Sequence, residues 1–327
     1  MNPLSYIKPP SVDETSTLMR HPGHRLLGGG TNLVDLMRKG IEHPSGLVDV
    51  AALSDLIETR ADGSLFIGAA TRNSAVAAHP LVRAKYPVLA RAILAGASAQ
   101  IRNMATVGGN IMQRTRCLYF QDPATGCNKR VPGSGCDAIG GLNRHHAIIG
   151  TSPSCIAVHP SDMCVALAAL DASVHVTGPN GPRIVPLVDV HRLPGDRPDL
   201  DTVLDSHDLI TAVEIPALPP GTRSAYRKVR DRASYAFGLV SIAGSLGMHG
   251  DRIGHVRIAF GGIAPKPWRA LRAEAILSGA QAGRAAFADA IASALADAAP
   301  QAGNAFKVDL AIRTSVAVLT ELSGSAR

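Results

Sequence analysis

The spacing of hydrophobic residues changes several times along the chain, and each change marks an element. Residues 25–27 read as a short strand, and Gly28, Gly29 and Gly30 follow as a turn. Thr31 and Asn32 then cap a helix whose apolar residues Leu33, Leu36 and Met37 recur at helical spacing. Strands are expected at residues 46–50 and 65–68, and a helix across 88–95. Further on, His159-Pro160-Ser161-Asp162 caps an apolar helix over 163–170, and residues 173–177 alternate as a strand does. The C-terminal part reads as a strand over 255–260 with helices over 268–277, 285–298 and 310–322.

Two stretches interrupt this pattern. From residue 106 to 155 glycine, proline, cysteine and polar residues dominate and periodicity is lost, as in a long functional loop. Residues 216–221 (ALPPG after Pro216) form a proline-rich break that predicts a domain boundary, dividing the chain into units 1–220 and 221–327. The expected class is α/β for the first unit and α+β for the second. At one domain per roughly 150 residues, two or three domains suit a chain of 327.

Composition narrows the function classes. Apolar residues make up 46% and charged residues 18%, enough to build a core and too little polarity for a disordered chain. A net charge of +7 raises the question of nucleic acid, but Lys and Arg are scattered from Lys8 to Arg327 and aromatics are only 4%, which argues against a stacking platform. No window reaches the roughly 18 apolar residues of a membrane span. Residues 1–10 lack a basic segment followed by an apolar run, so no secretory signal is expected there. No G-x-S-x-G motif supports hydrolysis. The charged run 227–232 suits either a partner or phosphate contact or a solvated strand edge. His145 and His146 have no neighbouring ligand pair and are expected to be solvated or hydrogen-bonded loop residues.

Glycine lets backbone N–H groups approach a phosphate without an intervening Cβ. The turn at Gly28-Gly29-Gly30 fits that need, although Leu33 stands where a G-x-G-x-x-G fingerprint has its third glycine. A second turn, Thr106-Val107-Gly108-Gly109-Asn110, is positioned to grip the same diphosphate from the other side. Asp162, at a helix start, suits either a ribose hydroxyl or its own helix cap.

Five cysteines complete the set. Cys164, within the apolar helix, is expected to be a small buried hydrophobe. Cys117, Cys127, Cys136 and Cys155 contain no C-x-x-C pair, so spacing leaves two disulfides, a structural zinc and a four-thiolate cubane cluster open.

The order GGGTNL, TVGGNI and PSD before an apolar helix, continued by ITAVEIP at 210–216 and YRKVRDRASYAFG at 226–238, resembles the FAD-binding medium subunits of the molybdenum hydroxylase (xanthine dehydrogenase) family over nearly the whole chain. The stretches QRTRCLYF, CNKRVPGSGC and HAIIGTSPSC are similar to the branch of periplasmic aldehyde oxidoreductases, whose flavin subunit carries an inserted [4Fe-4S] loop. The β subunit of 4-hydroxybenzoyl-CoA reductase is a more distant likeness.

The resemblance implies a two-lobed FAD-binding domain with an iron–sulfur insertion at about 113–156, followed by a C-terminal α+β flavoprotein domain. It places Leu26, Leu27, Gly28, Gly29, Gly30, Thr31, Asn32 and Leu33 with Thr106, Val107, Gly108, Gly109 and Asn110 around the FAD phosphates. Asp162 would hold polar groups of the cofactor, and Ile210 and Lys228 would lie near the flavin ring. Cys117, Cys127, Cys136 and Cys155 would ligate the [4Fe-4S] cluster, whose charge Lys129 and Arg130 would moderate unless they are exposed loop charges.

The expected partners are a large molybdenum-cofactor subunit and a small [2Fe-2S] subunit in a heterotrimer, with aldehyde as substrate class, no nucleic acid and no membrane insertion. The expected location is the periplasm, by export with a signal-bearing partner, or the cytoplasm, and the branch points to the periplasm. No residue of this chain is expected to act as a catalytic acid or base. The rival assignments are a stand-alone FAD oxidase, a 4-hydroxybenzoyl-CoA reductase-like flavin subunit, and a flavin-free assembly subunit stapled by zinc.

Overall fold

The structure, a computed structural model, describes residues 4–324; residues 1–3 of the N-terminal stretch and residues 325–327 lie outside the described residues. Strands β1 (Ser5–Ile7), β2 (His24–Leu27) and β3 (Gly46–Asp49) form a small parallel sheet in the order β1-β3-β2. A second, antiparallel sheet follows the order β4-β5-β8-β6-β7, built from β4 (Ile57–Thr59), β5 (Leu65–Gly68), β6 (Ser173–Gly178), β7 (Gly181–Pro186) and β8 (Leu209–Ile215). Because β8 pairs with β5 on one side and β6 on the other, chain from before and after the cysteine segment closes into one sheet. That closure brings the two ends of the segment back to the same lobe.

The third sheet, in the order β12-β11-β10-β9, contains β9 (Arg223–Val229), β10 (Val240–His249), β11 (Arg252–Gly261) and β12 (Trp268–Arg269). The helix Phe306–Ser323 packs along β10, and a Cβ at Gly244 of that strand would stand 3.2 Å from Leu322 and 3.3 Å from Val318. Glycine there sets how closely helix and strand approach.

The helix Asp162–Ala169 links the sheets. Each residue from Met163 to Ala169 is buried, as expected for a helix apolar on every side. It packs on the helix Pro87–Ala95 and on β10 and β11, so that Ala243 and Ala259 of the third sheet join one core with Leu65, Ile67, Leu89 and Val213. Full burial of a side chain such as Leu89 contributes about 1.5–3 kcal/mol.

Several elements depart from the expectations. The helix expected from residue 268 begins at Leu271, because Trp268 and Arg269 pair with Phe260 and Ala259 as an edge strand. The long loop is not structureless either: Val107–Ile111 and Leu118–Gln121 are short helices within it. Elsewhere side chains stand in for ladders. Arg130 donates to the carbonyls of Tyr119 and Phe120, and Asn128 Oδ1 accepts from the N–H groups of Gly133 and Gly135. Among the described residues no helix is long and apolar enough to cross a membrane.

Candidate functional site

Between the parallel sheet and the five-stranded sheet lies a cavity of about 410 Å³, within the range typical of small-molecule sites. Residues 28–33 line it together with Leu26, Thr106, Gly108, Gly109 and Ile210. Leu27, Val107, Asn110, Asp162 and Lys228 lie outside its lining. Val107 is buried in the core, and Asn110 Oδ1 accepts from Ser161 Oγ and from Gln113 Nε2.

The two glycine turns touch each other. A Cβ at Gly28 would stand 2.5 Å from Thr106 Oγ1, and one at Gly29 would stand 1.9 Å from the Met104 carbonyl oxygen. Their hydrogen bonding differs. In the second turn the N–H groups of Val107, Gly108 and Asn110 donate to Thr71, Ala69 and Thr106, and Thr106 Oγ1 accepts from Gly109. In the first turn the N–H groups of Gly29 through Leu33 have no acceptor among the described residues, and neither does the buried Asn32 Nδ2. Unmet donors lining a cavity at the start of the helix Leu33–Arg38 suit an anionic group such as a diphosphate. The second turn contributes bare glycine surface and seats the first.

Asp162 and Lys228 form a separate knot. Ser161, not Asp162, caps the helix by accepting from the Cys164 N–H, which leaves Asp162 free to accept from Lys228 Nζ at 2.8 Å and from Tyr226 Oη at 2.5 Å. Lys228 also donates to the Ala95 carbonyl. Burial, reinforced by the Asp162 charge, pushes the Tyr226 hydroxyl well above its ordinary pKa. Lys228→Met would strand the carboxylate without its cation, and a loss of about 3–5 kcal/mol is expected. Urea unfolding of the purified protein measures it, and a loss below 1 kcal/mol would contradict the buried pair.

The rest of the charged run 227–232 is taken up within the chain. Arg227 pairs with Glu321, Arg230 donates to the Ala95 carbonyl, and Asp231 pairs with Arg144.

Cys117, Cys127, Cys136 and Cys155 line one small pocket, and none of the five cysteines forms a disulfide. The backbones of Cys127 and Cys136 pair in an isolated antiparallel bridge. Burial pushes the Cys117 thiol up to about 12 and raises that of Cys155. Holding them as thiolates therefore needs compensating positive charge.

Among the described residues, the group of His, Cys and acidic side chains whose ligand atoms all lie within 4.8 Å of one another is His159, Cys164 and His191. Four thiolates bound to one zinc at about 2.3 Å would stand about 3.8 Å apart. The four pocket thiols are spread more widely than that. In the tight trio, burial holds both imidazoles below their ordinary pKa and pushes the Cys164 thiol up to about 12, which makes it neutral core packing.

Two loop residues with alternatives left open by the sequence are buried. Of the two alternatives, His146 takes the hydrogen-bonded one: it is buried, and its Nε2 stands 3.1 Å from Cys117 Sγ. Burial first, and then the Lys307 charge, lower its pKa to about 4. Lys129 is buried too, and its ammonium is bound by the Pro198 carbonyl and by Asp201, each at 2.6 Å. Arg114 grips the same Asp201 and Glu42, both at 2.7 Å, anchoring the start of the insertion to the first lobe. Arg114, Lys129, His159, His191 and Asp201 all line the large cavity; the sequence stretches singled out above contain the first three, and no motif or spacing marks His191 or Asp201. Cys155, Lys129 and Ala157 line both the large cavity and the cysteine pocket.

Comparison with known proteins places this architecture. Residues 2–218 match the family described as the FAD binding domain in molybdopterin dehydrogenase, and residues 224–322 match the CO dehydrogenase flavoprotein C-terminal domain. The chain is 50% identical to the aldehyde oxidoreductase FAD-binding subunit PaoB of Escherichia coli over 94% of each chain. It is 27% identical to the carbon monoxide dehydrogenase medium chain of Afipia carboxidovorans, over 91% of this chain and 87% of that one. A chain of the carbon monoxide dehydrogenase structure from Hydrogenophaga pseudoflava superposes with a TM-score of 0.77 at 24% identity, covering 99% of this chain and 98% of that one. With a family match over most of its length and half its residues shared with one relative, the protein belongs to the FAD-binding subunits of the molybdenum hydroxylase family of oxidoreductase complexes.

Proposed function

We propose that this chain is the FAD- and [4Fe-4S]-carrying electron-transfer subunit of a molybdenum-dependent aldehyde oxidoreductase, passing electrons from iron–sulfur centres through FAD to an external acceptor. The aldehyde class rests on the half-identical relative, which is an aldehyde oxidoreductase subunit. A large molybdenum-cofactor subunit and a small [2Fe-2S] subunit would complete the assembly and supply the site of substrate oxidation. Residues 28–33, Gly108, Gly109 and Ile210 would hold FAD, and Cys117, Cys127, Cys136 and Cys155 would hold the cluster.

The observation that carries the reading is the common wall: Cys155, Lys129 and Ala157 border both sites, so a ligand of the cluster is also part of the flavin cavity. Bound FAD supplies the redox chemistry, and the protein supplies position and field. Free N–H groups of the first turn and Asn32 Nδ2 bind the anionic end of the cofactor. Lys129, held by Asp201, sets a cation beside Cys155 and favours its thiolate.

The test is a visible spectrum with flavin, iron, zinc and mass analysis of the complex purified through this subunit. FAD, four irons assigned to this chain and two companion subunits are expected. Colourless protein with stoichiometric zinc would overturn the reading.

A further inference from the structure

Residues 303–307 of the C-terminal unit fasten the cysteine insertion at the backbone around His146. Asn304 Nδ2 donates to the carbonyls of Asn143, His146 and Ala147 at 3.2, 3.2 and 3.3 Å, and the Gly303 N–H donates to Asn143 Oδ1. Lys307, fully buried in the first turn of the helix Phe306–Ser323, donates to the carbonyls of His146 and Gly262, each at 2.8 Å. Two side chains that are 0% exposed thus converge on the backbone of His146.

The side chain they fix in place is the imidazole whose Nε2 stands 3.1 Å from Cys117 Sγ. Its other nitrogen, Nδ1, is buried without a partner among the described residues. A neutral imidazole carries one proton. Placed on Nδ1, that proton would be a buried donor with nothing to accept it; placed on Nε2, it is donated to the sulfur. The second arrangement leaves only an unmet acceptor, and the sulfur gains a hydrogen bond.

We infer that His146 is the hydrogen-bond donor that raises the reduction potential of the cluster held through Cys117, and that Asn304 and Lys307 are positioning residues that aim it. The inference rests on the cluster reading given above. An electron added to the cluster increases negative charge on its thiolates, so a donor to sulfur stabilises the reduced form more than the oxidised one. No bond is made or broken in that step. The cluster gains one electron from its donor and the histidine keeps its proton.

The test uses the whole complex with His146→Phe, His146→Gln and Lys307→Met. Iron and sulfide per chain are measured first, then redox titration is followed by electron paramagnetic resonance. With iron retained, His146→Phe is expected to raise the oxidised-to-reduced ratio of this cluster about tenfold at a fixed potential, a fall of about 59 mV for a one-electron couple. His146→Gln, which keeps an N–H, is expected to recover most of the wild-type midpoint, and Lys307→Met to shift it in the same direction as His146→Phe.

Full iron with an unshifted midpoint in His146→Phe overturns the donor role. A wild-type midpoint in Lys307→Met overturns the positioning role. Should His146→Phe shed its iron, Lys307→Met carries the test by the same shift. Wild-type complex without this iron is a different result, and it removes the underlying cluster reading instead.

Discussion

Gly109→Val is expected to yield a folded protein that purifies without flavin. A Cβ at Gly109 meets only the Thr106 hydroxyl, at 2.9 Å, and the position faces the large cavity, so the added methyl groups occupy cofactor space and leave the backbone in place. Gly29 is different, because a Cβ there would stand 1.9 Å from the Met104 carbonyl oxygen and 2.9 Å from the Ala105 Cα, both backbone atoms that cannot swing aside. Gly29→Ala should therefore lose flavin and also lower the Tm, by prising the two turns apart. For Gly109→Val the flavin affinity should fall on the order of 100-fold, close to 3 kcal/mol. The flavin-to-protein absorbance ratio and a melting curve read both effects. Stoichiometric FAD in Gly109→Val would show that the second turn does not border the cofactor.

On the proposed cluster reading, Cys136→Ser should remove the iron held by this chain while the flavin stays. A serine hydroxyl is a harder and far less acidic ligand than the thiol it replaces, and Cys136 is one of four thiols around a single pocket. The insertion should keep its shape, since Arg130, Asn128 and the Asp137 carboxylate fasten its loops independently of any metal. Iron analysis should fall from four per chain to near zero. Cys164→Ala is the matched control: that thiol is fully buried in the helix after Ser161 and outside the cysteine pocket, so iron should be unchanged. Iron retained in Cys136→Ser, or lost in Cys164→Ala, would mean that a different set of thiols holds the iron.

The legibility of the chain followed local chemistry. The unit at 25–38 could be read because a strand, three glycines, a cap and a helical apolar stripe each act over a few neighbouring residues, and the structure places β2, the turn and the helix Leu33–Arg38 there. The helix after residue 161 was equally clear, although its cap is Ser161 and its acidic residue serves a cross-domain ion pair. By contrast β10 carries no such local mark. Its sequence VSIAGSLGMH has no alternation, because a strand covered on both faces has no polar side to mark it, and small residues replace large ones where the helix Phe306–Ser323 lies close.

By itself, then, the sequence determined which residues could carry chemistry: glycines bare enough for a phosphate, and thiols able to bind metal. Such capacities belong to the residue and its immediate neighbours, and they do not depend on the rest of the fold. The tertiary structure alone decided which turn keeps its N–H groups free, that His146 faces Cys117 with Lys307 behind it, and that Cys155 borders both sites. Those are contacts between residues up to 161 positions apart, such as His146 and Lys307, and they exist only once β8 has closed the second sheet and the C-terminal unit has packed against the insertion. Burial and partner choice are properties of that packing, and one-dimensional spacing carries no record of them.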